Sequence, residues 1–179
     1  MKQKTLTLKQ LYKVGTVKLA EEGIEEFSLD AWYLLEHIYG ISRVDFLIRR
    51  NDPFDEVQMK QSADYQALIH RRSEGYPVQY LTGSTEFMGL PFLVNESVLI
   101  PRQDTEVLVE TALAMMKPEC RLLDMCTGSG CIAIAIAKLG KPFIVHGVDI
   151  SEEALAVARQ NATELNASVE LFAGDLMTN

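Results

Sequence analysis

Gly128-Ser129-Gly130-Cys131-Ile132-Ala133 fits the pattern G-x-G-x-x-[G/A], follows the apolar segment Leu122-Leu123-Asp124 and opens a run of isoleucine and alanine. Strand, glycine turn and helix in that order make a ligand cradle. Without a Cβ the backbone turns sharply, and its N–H groups can approach a ligand at the helix N-terminus. Asp149 closes the next apolar segment, 21 residues after Gly128. At the end of a second parallel strand a carboxylate accepts hydrogen bonds from two ribose hydroxyls. Loop, strand context and acid spacing together point to a nucleoside cofactor; the plainer alternative is a tight strand-to-helix turn beside a solvated Asp149.

NAD and S-adenosylmethionine use the same strand-end geometry, and local charge separates them. Asp124 lies four residues before Gly128, and Asp175 closes the third apolar segment of this region. A pyrophosphate would find Asp124 repulsive, whereas S-adenosylmethionine brings a sulfonium and an ammonium. The acids favour the methyl donor. Asp175 suits a hydrogen bond from the adenine amino group, with Leu176 packing on the ring, although both also suit an ordinary strand end. The candidate cofactor site is Asp124, Thr127, Gly128, Ser129, Gly130, Cys131, Asp149, Ile150, Asp175 and Leu176. Cys126 and Cys131 read as small apolar packing residues rather than reactive thiols.

Such a site needs alternating strands and helices to position it, and residues 101–179 supply them. A helix from Asp104 to about Met116 leads into a strand at Leu122-Leu123, a helix over Ile132 to Leu139 and a strand over Phe143 to Val148. A helix from Ser151 to about Leu165 and a strand over Val169 to Phe172 complete the pattern of a parallel, doubly wound α/β sheet. Three parallel strands bury too little for an independent domain, and the first keeps an open edge. The chain is therefore expected to be a fragment of a longer protein or a truncated gene product.

Residues 1–77 read as a small helical bundle. Thr7-Leu8-Lys9-Gln10 fits a capping box, and Leu11, Val14, Leu19 and Ile24 form a stripe running towards Gly23. Further helices are expected from Ser28 or Leu29 to Gly40, from Val44 to Arg50, and from near Asp55 to Gly75. Residues 78–100 read as a β-hairpin linker turning near Gly89.

The 179 residues are 47% apolar and 23% charged, enough for one ordinary domain or two small ones. No window approaches the roughly 18 uninterrupted apolar residues of a membrane span, and the start MKQKTLTLKQLYK has no apolar signal core. Cys120, Cys126 and Cys131 form no C-x-x-C pair and the histidines lie far apart, so neither a disulfide framework nor a zinc site is indicated. Reduced cysteines without an export signal point to the cytoplasm. The net charge is −8, and residues 101–179 carry 11 acidic against 6 basic side chains. Without a basic stripe, a protein or small-molecule partner is favoured over nucleic acid.

Arg71-Arg72, Gly75-x-Pro77-x-Gln79-Tyr80-x-x-Gly83, Glu86-Phe87-x-Gly89, Leu99-Ile100-Pro101-Arg102-x-Asp104-Thr105-Glu106, Asp124-x-x-Thr127-Gly128-Ser129-Gly130 and Asp149-Ile150-Ser151 stand in this order. In these blocks the chain resembles the HemK/PrmC family of protein-(glutamine-N5) methyltransferases over most of its length from Arg71 to Asp175. The resemblance implies a helical N-terminal domain, a hairpin linker and an incomplete class I S-adenosylmethionine-dependent (Rossmann-like) domain. It also implies action on the glutamine of the Gly-Gly-Gln motif in peptide-chain release factors. Arg71, Arg72, Gln79, Tyr80 and Arg102 would then touch the protein substrate. The plainer readings are a solvated Arg71-Arg72 face, an Arg102 paired with Glu106 one turn on, and a helix after Pro101 capped by Asp104.

The family's Asn-Pro-Pro-Tyr loop, which holds the substrate amide, does not occur in the sequence, so no catalytic residue carries over. An amide nitrogen is a poor nucleophile because its lone pair is delocalised, and it needs acceptors that orient it and draw off charge. The chain alone is expected to show weak or no methyl transfer. Two other functions compete with this one: an NAD-dependent oxidoreductase, and a non-enzymatic module whose bundle docks a partner.

Overall fold

Three of the first four helices start with a reciprocal cap, and those caps decide where the chain turns. The computed structural model describes residues 6–117, 119–140 and 144–175. Helix α1 (Leu8–Glu21) begins where Thr7 Oγ1 accepts from Gln10 N at 3.3 Å and Gln10 Oε1 accepts from Thr7 N at 3.1 Å. Ser42 with Asp45 does the same for α3 (Arg43–Arg49), and Asp55 with Gln58 for α4 (Glu56–Ser73). Each box satisfies two of the N–H groups that a helix start leaves unpaired. Helix α2 (Phe27–Tyr39) stops at Gly40, whose φ of +59° is the left-handed turn that glycine adopts without strain.

The chain divides into two units, Met1–Thr82 and Gly83–Asn179. In the first, Leu11, Leu19, Leu34, Leu35 and Tyr65 are fully buried, and the rings of Tyr12, Trp32 and Phe46 meet edge to face. Helix α1 crosses α4 closely at Gly15. A Cβ there would overlap Tyr65 Oη and lie 2.9 Å from Ile69 Cδ1.

Residues 78–82 differ from the hairpin expected of them: Val78–Thr82 is a short helix, α5, inside the first unit. Val78 and Leu81, one turn apart, are both buried in that core, a spacing a coil satisfies and a strand does not. The hairpin is confined to strands β1 (Ser84–Phe87) and β2 (Leu90–Leu93). Phe87 pairs with Leu90, so Met88 and Gly89 form the turn, both at positive φ as a two-residue hairpin of matching twist requires.

The second unit continues with α6 (Gln103–Met115), β3 (Arg121–Met125), α7 (Cys131–Leu139), β4 (Ile144–Asp149), α8 (Glu152–Glu164) and β5 (Glu170–Ala173). The last three strands form a parallel sheet in the order β3-β4-β5. This is the expected Rossmann-like α/β pattern, although Phe143 of the expected second strand lies outside the described residues. The helix after Pro101 starts one residue earlier than expected, with Arg102 rather than Asp104 at its N-cap and no side-chain cap bond. Asp104 instead lies in the first turn, where its charge complements the helix dipole.

Register decides the faces of the sheet. Leu122 pairs with Val145, and Asp124 with Gly147 and then Leu171; these face the packed helices α7 and α8. The next residues along, Leu123, Met125 and Phe172, are exposed on the other face, where His146 Nε2 lies 3.4 Å from Glu170 Oε2.

The α1–α4 crossing is testable. Gly15→Ala is expected to destabilise the protein by about 1–2 kcal/mol in urea unfolding, an overpacking cost of about 2–3 kcal/mol for so close an approach less alanine's roughly 1 kcal/mol helix preference. Adding Tyr65→Phe to that variant should restore part of the loss. An unchanged midpoint in Gly15→Ala would show that the helices cross with room to spare.

Candidate functional site

The loop between β3 and α7 is held mainly by its own backbone and by two carboxylates. Thr127 N donates to Val148 O at 2.9 Å, which lays the loop across the end of β4. Gly130 N donates to Thr127 O at 2.8 Å, closing the turn. Gly128 and Gly130 have φ of +56° and +78°, so both need the left-handed region. They differ in surroundings. A Cβ on Gly130 would lie 2.9 Å from Ile134 Cδ1 and 3.2 Å from Ala158 Cβ, so this glycine lets α7 and α8 approach. A Cβ on Gly128 would meet nothing within 4 Å, so that side of the loop opens onto free space.

Asp124, 8% exposed, reaches under the loop. Its Oδ2 accepts from Thr127 Oγ1 at 2.7 Å and from Ala133 N at 3.3 Å. Helix α7 has no side-chain cap of its own, because its N-cap is Gly130, and the strand carboxylate takes that place. Burial pushes the Asp124 carboxyl above its ordinary value, against the two hydrogen bonds that pull it down; the neighbouring Asp149 adds to the rise. Asp149 Oδ2 accepts from Gly128 N at 2.8 Å and Oδ1 accepts from Ser151 N at 3.0 Å. Two loop donors expected to face a ligand are thus already taken by protein: Gly128 N by Asp149 and Gly130 N by Thr127.

The other expected cofactor residues are distributed as follows. Ser129 is buried in the loop, and its carbonyl accepts from Asn161 Nδ2 at 2.9 Å. Cys131 packs against the apolar core of the second unit, and burial pushes its thiol up, which weakens it as a nucleophile. Cys126 corrects the expectation of a packing role: it is exposed, with φ of +61°, because the chain reverses there as it leaves β3. Ile150 is exposed beside Asp149, and Asp175 is exposed two residues beyond β5. Leu176 lies outside the described residues.

The expected substrate residues separate. Arg71 is exposed, with its guanidinium 4.1 Å from the centre of the Tyr76 ring, and Tyr76 meets Tyr80 edge to face at 6.1 Å. Gln79 and Tyr80 are half-buried on α5. Arg72 turns inward instead of joining a solvated face: its Nε lies 2.6 Å from Oδ2 of the buried Asp30. A buried carboxylate needs a partner, and the end of α4 supplies it. Arg102 is exposed and makes no ion pair among the described residues. The expected pairing with Glu106 is replaced by a hydrogen bond from Met88 N to Glu106 Oε1 at 2.6 Å, since the hairpin turn leaves that half-buried N–H without a strand partner.

Asn161, which holds the loop, is absent from the sequence reading, and Glu106, read there only as a partner of Arg102, holds the hairpin turn. The signal for Asn161 is a polar residue among the alanines of an otherwise apolar helix face.

Two family models match the chain: the PrmC N-terminal domain over residues 10–83 and a methyltransferase domain over residues 116–177. The release factor glutamine methyltransferase of Geobacter sulfurreducens is 42% identical over 158 residues, covering 88% of this chain and 55% of that protein. Its counterpart from Moorella thermoacetica is 40% identical over 176 residues, covering 96% and 61%, and that from Bordetella pertussis 44% over 160 residues, covering 88% and 57%. The chain therefore spans little more than half the length of these curated relatives.

The buried acid beneath the loop carries a pH signature. With its folded carboxyl above the ordinary 3.8, ionising Asp124 opposes folding. That penalty is absent below about pH 4, grows as pH rises towards the folded value and stays constant above it. Asp124→Asn keeps an acceptor for Thr127 and Ala133 without the charge. In urea unfolding the variant should gain stability relative to the parent as pH rises above about 4. A difference that is constant or shrinks as pH rises would contradict this.

Proposed function

The chain belongs to the PrmC family of release factor glutamine methyltransferases, and from that membership we propose that its second unit binds S-adenosylmethionine. We propose further that the whole protein methylates the side-chain amide of a glutamine in peptide-chain release factors. The observation that carries the cofactor reading is the placement of two carboxylates at the head of α7. Asp124 takes the N–H of Ala133, and Asp149 takes the N–H of Gly128. A pyrophosphate needs those donors free and would meet two negative groups in their place. A cationic ligand meets attraction from both. The residues present therefore fit S-adenosylmethionine better than NAD.

When bound, S-adenosylmethionine supplies a methyl group on a positively charged sulfur, an electrophile that needs neither metal nor acid. Each carboxylate oxygen of Asp149 holds one backbone N–H and retains a lone pair, so the side chain can still accept from ribose hydroxyls. Exposed Ile150 offers apolar surface to a purine beside it. Asp175 is assigned to the adenine end, and the glycine at position 128 leaves the space into which the ligand would enter. In the first unit, Arg71, Gln79 and Tyr80 are assigned to the protein substrate: the Arg71 guanidinium lies over the Tyr76 ring, which meets Tyr80 edge to face. Arg72 is assigned to the support of α4 rather than to substrate.

Isothermal calorimetry tests the reading. The purified chain should bind S-adenosylmethionine in preference to NAD. Asp149→Ala should weaken that binding by about 10- to 100-fold, the equivalent of roughly 1–3 kcal/mol for lost charge-assisted hydrogen bonds. Preference for NAD would overturn the cofactor assignment, and an unchanged dissociation constant in Asp149→Ala would remove Asp149 from the site.

A further inference from the structure

A carboxamide in the interior is costly unless each of its polar atoms is paired. Asn161, in the last turn of α8 and 1% exposed, meets that condition with three bonds. Its Oδ1 accepts from Leu93 N at 2.7 Å, and its Nδ2 donates to Leu93 O at 3.0 Å. This is the exchange of N–H and C=O that a neighbouring strand would make, so the side chain acts as one peptide unit added to the edge of β2. The second N–H of the same amide donates to Ser129 O at 2.9 Å, in the centre of the glycine loop. One rigid planar group thus joins the last residue of the hairpin to the loop, across 68 residues of sequence on one side and 32 on the other.

No close substitute reproduces this. Aspartate would put an acceptor oxygen in place of the NH₂ that faces the carbonyls of Leu93 and Ser129. Leucine would fill the volume and leave three polar groups unpaired. Glutamine would carry the amide one methylene too far.

We infer that Asn161 is a positioning residue that couples the β1–β2 hairpin to the cofactor loop, so that order at the hairpin and ligand affinity at the loop depend on each other. The coupling to ligand rests on the proposed S-adenosylmethionine site; the mechanical coupling of hairpin to loop does not. The loop's other side-chain supports, Asp124 and Asp149, come from the sheet, as does its backbone bond to Val148. Asn161 is the contact that gives the hairpin a hold on it, and coupling between bound states is reciprocal.

The test combines amide hydrogen exchange and calorimetry on the full chain. In the parent, the Leu93 amide should be protected although it lies on an edge strand, and adding S-adenosylmethionine should slow its exchange further. In Asn161→Asp, exchange at Leu93 and at Gly130 should rise together while α1 to α4 are unaffected. The dissociation constant for S-adenosylmethionine should rise roughly tenfold, the factor one hydrogen bond of about 1.4 kcal/mol makes. A merely structural asparagine would lower the unfolding midpoint and leave the affinity of the folded variant unchanged, and that result would overturn the proposal. If Asn161→Asp does not fold, the parent alone decides: a Leu93 amide unaffected by ligand would overturn it. If the parent binds no S-adenosylmethionine, the cofactor reading falls. Parallel exchange at Leu93 and Gly130 in the variant would still support the mechanical coupling, and independent exchange would refute it.

Discussion

A helix that begins at a glycine has no side chain with which to pair its first N–H groups, and a glycine loop ahead of it adds more. Everything at the candidate site follows from where those groups find acceptors. Asp124, on the strand before, and Asp149, on the strand beside, supply them. The parallel register makes this possible by setting Gly147 opposite Asp124. A Cβ on Gly147 would lie 3.0 Å from Thr127 Oγ1 and 2.7 Å from Leu171 Cδ2, so the bare backbone there makes room for the threonine that Asp124 holds. The same carboxylates that complete the fold give the head of α7 a negative rather than a positive character. Structure and ligand preference are one electrostatic arrangement.

The architecture was legible because its signals are local. The Thr7 capping box, the stop at Gly40, the turn at Gly89 and the strand–glycine–helix order each rest on residues within a few positions of one another. The meeting of Asp149 with the glycine loop was legible because its spacing from Gly128 follows from one strand and one helix length. What escaped was long-range. Arg72 reads as surface until α2 brings Asp30 beneath it, and Glu106 reads as the partner of Arg102 until the hairpin turn presents Met88 N. The five-residue helix α5 is too short to show a helical period, so the nearby glycines drew it into the hairpin. The Asn161 side chain has no local hydrogen-bond partner among the described residues; its bonds to Leu93 and Ser129 are tertiary. The Cys126 backbone escaped for a different reason, since a left-handed residue without glycine leaves no mark in composition.

Glycine, acid and amide therefore divide the labour at the loop. Gly130 permits the helices to close, Gly128 keeps one side open, Asp124 and Asp149 hold the backbone from the sheet, and Asn161 holds it from the hairpin. Of the two carboxylates Asp124 is the one buried from water, and its charge is uncomfortable there.

That discomfort gives the most direct measurement. Carbon-13 NMR titration of the Asp124 side-chain carboxyl reports its protonation with and without S-adenosylmethionine. The account predicts a midpoint above 3.8 in the free chain that moves downward when the cationic ligand binds, because a positive neighbour favours the ionised form. A midpoint that stays in place, or moves upward, on saturation with the ligand would contradict the claim that this buried carboxylate sets the charge preference of the loop.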